Sequence, residues 1–256
     1  MSNIKVALVT GSSEGIGAGI ATLLGTKGYL TVVTYKTHKE EAEGVVNKIK
    51  SSGGNATAMQ LDVTSEESVK NCFEFITKEY GQLDVLVNNA GVDGLSPIET
   101  CSFETWQAIT RIKIDGNFLC TKYALPLLKK VEKSDLIVII SSLGDIPDPD
   151  DVAYSVGTAG AVCFVKTMAK ALAKYGIRTN GVGPGAIRTN LGFWKEAGLD
   201  KDEVWDEFAQ NNPLGRTATI EDVAQTVLAI VENPTRYWNG NFIYVTGGDH
   251  LKYNGS

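Results

Sequence analysis

The feature that most constrains the fold of this chain is a regular alternation between two patterns of hydrophobic residues. Short apolar or β-branched runs recur, and longer segments whose apolar residues have helical spacing separate them. In one such segment, Val69, Cys72 and Ile76 fall on one helical face. We predict strands at residues 5–10, 30–35, 56–61, 83–88, 136–141, 178–182 and 241–245. Strands that alternate with helices in this way imply right-handed crossovers and a parallel sheet covered by helices.

The alternation continues through the 256 residues without an internal repeat, a low-complexity tract or a linker rich in proline and glycine. We therefore predict a single domain over residues 1–256. Its expected class is α/β, with a doubly wound parallel sheet of the Rossmann type and helices on both faces.

The charge of the chain narrows the range of partners. The formal net charge is −6, and no basic stripe offsets the acidic residues. Such a chain is not expected to bind nucleic acid or an anionic membrane surface. The apolar run VALV near the N-terminus is too short for a signal peptide or a membrane span, and it enters a glycine turn at once. We expect a cytoplasmic protein.

The glycine turn after the first predicted strand indicates a nucleotide site. The stretch VTGSSEGIG places Gly11, Gly15 and Gly17 where the strand ends and the first helix begins. Glycines allow the backbone to turn tightly and to approach a pyrophosphate at a helix N-terminus, where N–H groups favour anions. The spacing is GxxxGxG, and a tight strand-to-helix connection alone is the alternative explanation.

Several motifs in order carry a resemblance to a known family. The glycine motif is followed by the pair Asp62 and Val63, by NNAG at residues 88–91, and by ISS, which ends at Ser142, twelve residues before Tyr154. The stretch NGVGPGAIRT then covers residues 180–189, and PLGR and IYVTGG follow. With these motifs, the sequence resembles a short-chain dehydrogenase/reductase over nearly its whole length.

The resemblance implies a nicotinamide dinucleotide cofactor. The positions it assigns to cofactor contacts are Gly11, Ser13, Gly15, Ile16, Gly17, Tyr35, Lys36, Asp62, Val63, Asn89, Ala90, Gly91, Tyr154, Thr158, Pro184, Gly185, Ile187 and Thr189. The second predicted strand ends without the acid that NAD-specific sites usually carry, and Lys36 suits the 2′-phosphate of NADP. Glu14 would repel that phosphate, and Lys36 is alternatively a solvated loop residue. We expect NADP(H), with NAD left open.

The same resemblance assigns the proton chemistry to Tyr154, with Ser142 bonding the substrate oxygen. In the family a lysine four residues after the tyrosine lowers the phenol pKa, because a free phenol titrates near pH 10. Thr158 stands at that position here. A second departure is Lys113, which replaces the family's asparagine. Our hypothesis is relocation, in which the ammonium of Lys113 reaches the space beside Thr158 and supports Tyr154.

Three alternatives to relocation remain open at this stage. Lys113 extends into solvent and has no role, or the changes are engineered or result from inactivating drift. In the last case the chain is a catalytically silent dinucleotide-binding protein that acts as a sensor or a structural subunit.

The substrate side carries weaker signals. Residues 188–213 are expected to form a lid over a small carbonyl or alcohol substrate. Its aromatic residues line an apolar pocket or pack the lid onto the body: Phe193, Trp194, Trp205 and Phe208. The four aspartates of GDIPDPDD are expected in a solvated loop, with a cationic or strongly polar substrate as the alternative. The small and apolar faces of the helices around residues 99–130 and 152–175 predict a homotetramer or homodimer.

Overall fold

The predicted strands form one parallel sheet of seven strands. The computed structural model describes residues 4–92, 96–141, 148–189 and 198–251. The strands are β1 (Val6–Val9), β2 (Leu30–Tyr35), β3 (Asn55–Gln60), β4 (Val85–Asn88), β5 (Ser134–Ile139), β6 (Ile177–Pro184) and β7 (Phe242–Val245). Each of the seven predictions is confirmed, with ends displaced by two residues or fewer.

Helices connect consecutive strands and cover both faces of the sheet. They are α1 (Gly15–Thr26), α2 (Lys39–Ser51), α3 (Glu66–Glu79), α4 (Phe103–Thr110), α5 (Asn117–Leu128), α6 (Val152–Leu172), α7 (Asp202–Asn211) and α8 (Ile220–Val231). Between α4 and α5 the chain continues as a π-helical segment, Arg111–Gly116. Such segments contain i→i+5 hydrogen bonds and are often found at functional sites.

The sheet separates two hydrophobic cores. On one face, Leu8, Leu86 and Leu136 of the sheet pack with residues of α3, α5 and α6. Val69, Cys72 and Ile76 belong to this core, as the helical spacing predicts. The other face packs against α1, α2 and α8. A fully buried side chain of this size stabilises the fold by about 1.5–3 kcal/mol, so both layers of helices are needed.

The strand order places a crevice at one edge of the sheet. The order is β3-β2-β1-β4-β5-β6-β7, and every pair is parallel. The connections reverse direction between β1 and β4, which are neighbours in the sheet. In open parallel sheets, ligands bind at the carboxyl ends of the strands where the order reverses. We therefore expect a ligand-binding site at the residues that follow β1 and β4.

A buried ion cluster lies at the amino ends of the strands, on the side of the sheet opposite the crevice. Asp135 of β5 accepts a hydrogen bond from Arg178 Nε at 2.8 Å and another from Arg236 Nη1 at 2.7 Å. Arg178 also donates to the carbonyl oxygen of Ile230 at 2.7 Å. Asp135 and Arg178 are almost completely buried. The cluster ties β5, β6 and the end of α8 together.

The stretch Val152–Tyr175 is long and apolar enough to cross a membrane by length and composition. The core helix of a globular domain passes the same test. Ala161, Val165 and Leu172 of α6 lie in the core beside β6, and these contacts account for much of its apolar character.

Candidate active site

The loops after β1 and β4 are joined by Thr10 and Asn89. The backbone N–H groups of Asn89 and Ala90 both donate to Thr10 Oγ1 at 2.9 Å. The Asn89 amide donates to the carbonyl oxygens of Thr10 and Gly11, also at 2.9 Å. These bonds fix the floor of the crevice where the strand order reverses.

The glycine loop above this floor requires its glycines. Gly11 and Gly15 have positive φ angles of 59° and 58°, a conformation that other residues rarely adopt. A Cβ atom on Gly17 would lie 2.4 Å from both the Asn89 amide nitrogen and the Gly11 carbonyl oxygen. At the N-cap of α1, Glu14 makes no side-chain hydrogen bond to the first turn. The first N–H groups of α1 are thus open to an anion, as a pyrophosphate site requires.

Two contacts between a basic side chain and a carboxylate lie beside the glycine loop, at the end of β2. Lys36 Nζ is 2.9 Å from Asp62 Oδ2, and His38 Nδ1 is 2.9 Å from Glu14 Oε1. Burial opposes ionisation of Asp62, but hydrogen bonds from Thr64 and Lys36 outweigh it and lower the pKa of Asp62. Lys36 and His38 therefore both lie against carboxylates at the rim of the crevice.

On the other side of the crevice, Asp151 fixes the start of α6, which carries Tyr154. Asp151 Oδ1 accepts a hydrogen bond from the Tyr154 N–H at 3.3 Å and another from Ser96 Oγ. Ser96 Oγ in turn accepts from the Ala153 N–H at 3.0 Å. Burial raises the pKa of Asp151, although these hydrogen bonds and the charge of Lys113 oppose the shift. For Asp151, the prediction of a solvated loop is wrong.

Lys113 lies on the π-helical segment and points at Tyr154. Its nitrogen is 3.7 Å from the centroid of the Tyr154 ring, and the residue is only 8% exposed. An ammonium over an aromatic face is attracted by the negative charge of the π system. The alternative in which Lys113 extends into solvent is therefore wrong. The contact involves the ring face, whereas the relocation hypothesis places the ammonium near the phenol oxygen.

Thr158 is fully buried beneath Tyr154. Its hydroxyl donates to carbonyl oxygens of its own helix, those of Tyr154 and Ser155, which both lie at 2.9 Å. These bonds hold the hydroxyl against the helix backbone and do not favour the predicted contact with a cofactor ribose, which stays a prediction.

The predicted catalytic serine, Ser142, lies outside the described residues. Its neighbour Ser141 is described, follows β5 at the carboxyl edge of the sheet and is partly buried. The sequence contains two adjacent serines, and the family resemblance selected the second, which stands twelve residues before Tyr154. Ser141 is a further candidate, which this selection left out.

The described part of the predicted lid is anchored by charged and aromatic contacts. Phe193 and Trp194 lie outside the described residues. Arg188 pairs with Asp200 and Asp202, at 3.1 and 2.8 Å. Trp205 of α7 is buried, and its ring centroid is 5.5 Å from that of Phe208. Phe208 also lines a cavity of about 180 Å³.

The cavity lies between α7 and the turn after β6. Gly185, Asn212 and Thr246 also line it. The other predicted cofactor positions lie along the same carboxyl edge: Ser13 and Ile16 in the glycine loop, Tyr35 at the end of β2, Val63 after β3, Ala90 and Gly91 after β4, and Pro184, Ile187 and Thr189 at or after the end of β6.

Comparison with known proteins agrees with this geometry. A family model described as "Enoyl-(Acyl carrier protein) reductase" matches residues 11–250. The chain is 32% identical to the 3-oxoacyl-[acyl-carrier-protein] reductase FabG of Staphylococcus aureus, over 98% of this chain and 100% of that protein. It is also 32% identical to 3beta-hydroxysteroid dehydrogenase 1 of Eggerthella lenta, over 95% and 93% of the two chains.

A solved structure of another dehydrogenase has the same fold. The acetoin dehydrogenase YohF of Salmonella typhimurium superposes with a TM-score of 0.88 at 28% identity, over 99% of this chain and 98% of that one. The chain belongs to the short-chain dehydrogenase/reductase family.

Members of the short-chain dehydrogenase/reductase family are oxidoreductases that use a nicotinamide dinucleotide. The residues of this chain fit such a group, because a Cβ atom at Gly17 would fill the space beside Asn89 and the α1 N-terminus lacks a side-chain cap. The pyrophosphate would lie against Gly11, Gly15 and Gly17.

For this short-chain dehydrogenase/reductase, sequence reasoning missed the pair Ser96 and Asp151. These residues are far apart in the chain and form an isolated parallel β-bridge. A local signal existed for Asp151, since an aspartate three residues before the N–H it accepts is a common helix cap. No local signal existed for Ser96, because its role depends on the position of a second loop.

Proposed function

We propose that the protein is an NADP(H)-dependent oxidoreductase that transfers hydride between nicotinamide and a carbonyl or secondary alcohol substrate. The observation that carries this proposal is the position of the buried Lys113 ammonium, 3.7 Å from the Tyr154 ring centroid. Lys113 thus brings a positive charge to Tyr154 in a chain where Thr158 occupies the position of the family's lysine.

In the proposed mechanism Tyr154 donates its phenol proton to the carbonyl oxygen of the substrate during reduction, and it accepts the proton during oxidation. Hydride would be supplied or accepted by a nicotinamide dinucleotide bound at Gly11, Gly15 and Gly17. Lys113 stabilises the tyrosinate by its charge. Ser142 or Ser141 donates a hydrogen bond to the substrate oxygen. Asp151 holds the first turn of α6, so that Tyr154 keeps its orientation.

The substrate class follows from the chemistry that the relatives' names share. Those names refer to a 3-oxoacyl thioester, a hydroxysteroid and acetoin, and each of these carries a ketone or a secondary alcohol. We propose a small molecule with that group. The cavity beside Phe208 would receive the part of the substrate away from the reacting carbon.

Turnover is the direct test of the proposed function. NADPH consumption would be followed against a panel of ketones, diketones and quinones, with Tyr154→Phe as the control. We expect consumption with at least one of these classes and a loss of about 100-fold or more in the control, the usual size of an acid–base contribution. A protein that binds the cofactor without any turnover would contradict this function and favour the silent sensor or structural subunit.

Replacing Lys36 with alanine is expected to reduce kcat/KM for NADPH by about 10- to 100-fold and to leave the value for NADH unchanged. A hydrogen bond between charged groups is worth about 1.5–3 kcal/mol, and the lysine would exchange Asp62 for the 2′-phosphate. Lys39→Ala is the matched control, because Lys39 is equally exposed and pairs with Glu43 of its own helix. Equal losses for both cofactors would contradict the preference for NADP.

The exposed faces of the helices support self-association. Ile114, Phe118 and Val156 are 39%, 53% and 51% exposed and lie on the π-helical segment, α5 and α6. We propose that two copies join these faces in an isologous contact within a dimer or tetramer. We expect light scattering at micromolar concentration to show the oligomer and Phe118→Glu to weaken it; a monomeric parent chain would contradict it.

We further propose that the protein works in the cytoplasm.

A further inference from the structure

The stem of Lys113 lies flat against α6 at Gly157. An added Cβ atom on Gly157 would be 2.8 Å from Lys113 Cδ, 3.2 Å from its Cβ and 3.6 Å from its Cγ. Three atoms of the lysine side chain are therefore close to one point on the helix. Gly157 and Tyr154 are three residues apart and share a helical face, so the lysine crosses α6 at Gly157 before its nitrogen reaches the Tyr154 ring.

No residue larger than glycine fits at this position without movement of the lysine. A separation of 2.8 Å between carbon atoms is well inside van der Waals contact, which begins at about 3.5 Å. The closest atom belongs to the middle of the side chain and not to its mobile end. Rotation of the terminal ammonium alone would therefore leave the clash in place. The Lys113 side chain from Cβ to Cδ would have to move away from α6.

We propose that Gly157 is a positioning residue for the reaction, because it leaves the space in which the Lys113 stem reaches Tyr154. This inference rests on the proposed function, in which Lys113 supplies the charge. It adds that the relocated charge requires two residues together, a lysine at position 113 and a glycine at position 157.

Gly157→Ala tests the proposal, and Gly160→Ala is the matched control. Both glycines lie in α6, so both substitutions bring the same gain in helix propensity. A Cβ atom on Gly160 would meet only Ile114, with its mobile Cδ1 atom at 2.4 Å. Gly160→Ala is thus expected to leave Lys113 in place, while Gly157→Ala displaces it.

The readout is the phenol pKa of Tyr154, which does not require turnover. It is obtained from the tyrosinate absorbance of each protein minus that of its Tyr154→Phe counterpart. We expect Lys113→Ala and Gly157→Ala each to raise this pKa by about one unit, since part of a unit charge at ~4 Å is lost. Gly160→Ala should leave it unchanged. In the Lys113→Ala background, Gly157→Ala should cause no further rise.

Each outcome has a distinct meaning. A rise for Lys113→Ala without a rise for Gly157→Ala overturns the role of Gly157 and leaves the proposed role of Lys113 intact. No rise for either variant overturns the role of Lys113 in the proposed function as well. If Gly157→Ala does not fold, the double variant with Lys113→Ala should fold, because alanine lacks the Cδ atom that an added Cβ on Gly157 would meet at 2.8 Å. A double variant that also fails to fold would refute the proposal.

Discussion

Replacing Lys113 with methionine is expected to reduce kcat by about 10- to 1000-fold and to move the basic limb of the pH profile for reduction to higher pH. Methionine keeps the apolar stem and removes the charge. A unit charge at ~4 Å is worth about 4 kcal/mol at an effective dielectric constant of ~20, and each 1.4 kcal/mol is tenfold in rate. Screening reduces this value, which sets the lower bound.

The direction of the pH shift follows from the role of Tyr154. During reduction the protonated phenol is the active form, so activity falls as the pH rises through the phenol pKa. Loss of the neighbouring ammonium raises that pKa and extends the active range upward. Lys122→Met is the control, because Lys122 is exposed and pairs with Glu66 at the start of α3. A Lys113→Met enzyme with unchanged kcat and pH profile would refute the relocated charge.

The family's own arrangement gives a second test of the same charge. Thr158→Lys alone should impair the enzyme, since it places two ammonium groups in one buried space. The double change Lys113→Asn with Thr158→Lys should be more active than either single variant, because the two positions are coupled. If the effects of the two changes simply add, the two positions do not share one role.

Asp135→Ala is expected to lower the free energy of unfolding by about 3–5 kcal/mol, the usual cost of removing one partner from a buried ion pair. Arg178 is 5% exposed and would keep its charge without the carboxylate that accepts from its Nε atom. Urea denaturation would measure the change. Because the cluster lies at the edge of the sheet opposite the crevice, kcat should change little at temperatures where the variant is folded.

Asp150→Ala is the control for this prediction, because Asp150 is an exposed loop residue. A loss below about 1 kcal/mol for Asp135→Ala would mean that water reaches the two arginines and replaces the carboxylate. The urea dependence of the two variants should have the same slope, since neither change alters the surface exposed on unfolding.

The sequence was sufficient to predict the sheet, because each strand is a local run of β-branched or apolar residues and each crossover has a known hand. The glycine loop was equally accessible, since Gly11, Gly15 and Gly17 meet a requirement of the backbone itself. These features depend on residues that are near one another in the chain.

The arrangement of the catalytic residues was harder to predict from the sequence. The direction of the Lys113 side chain depends on the space at Gly157, and that space exists only after α6 packs against the π-helical segment. The burial of Asp151 depends on Ser96, which reaches it from the loop after β4. From the sequence alone, Asp151 was one of four aspartates in a polar run, and only its position as a helix cap before Tyr154 separated it from the others.

The π-helical segment also limits how this part of the chain can evolve. If Arg111–Gly116 took ordinary α-helical winding with all of its residues kept, every later residue of α5 would rotate by roughly 100° around the helix axis. Cys120, Ala124 and Leu127, which are buried in the core, would then turn away from the sheet. The winding of the segment is therefore fixed by the packing of the helix that follows, and one residue can be lost from it only together with the wider turn.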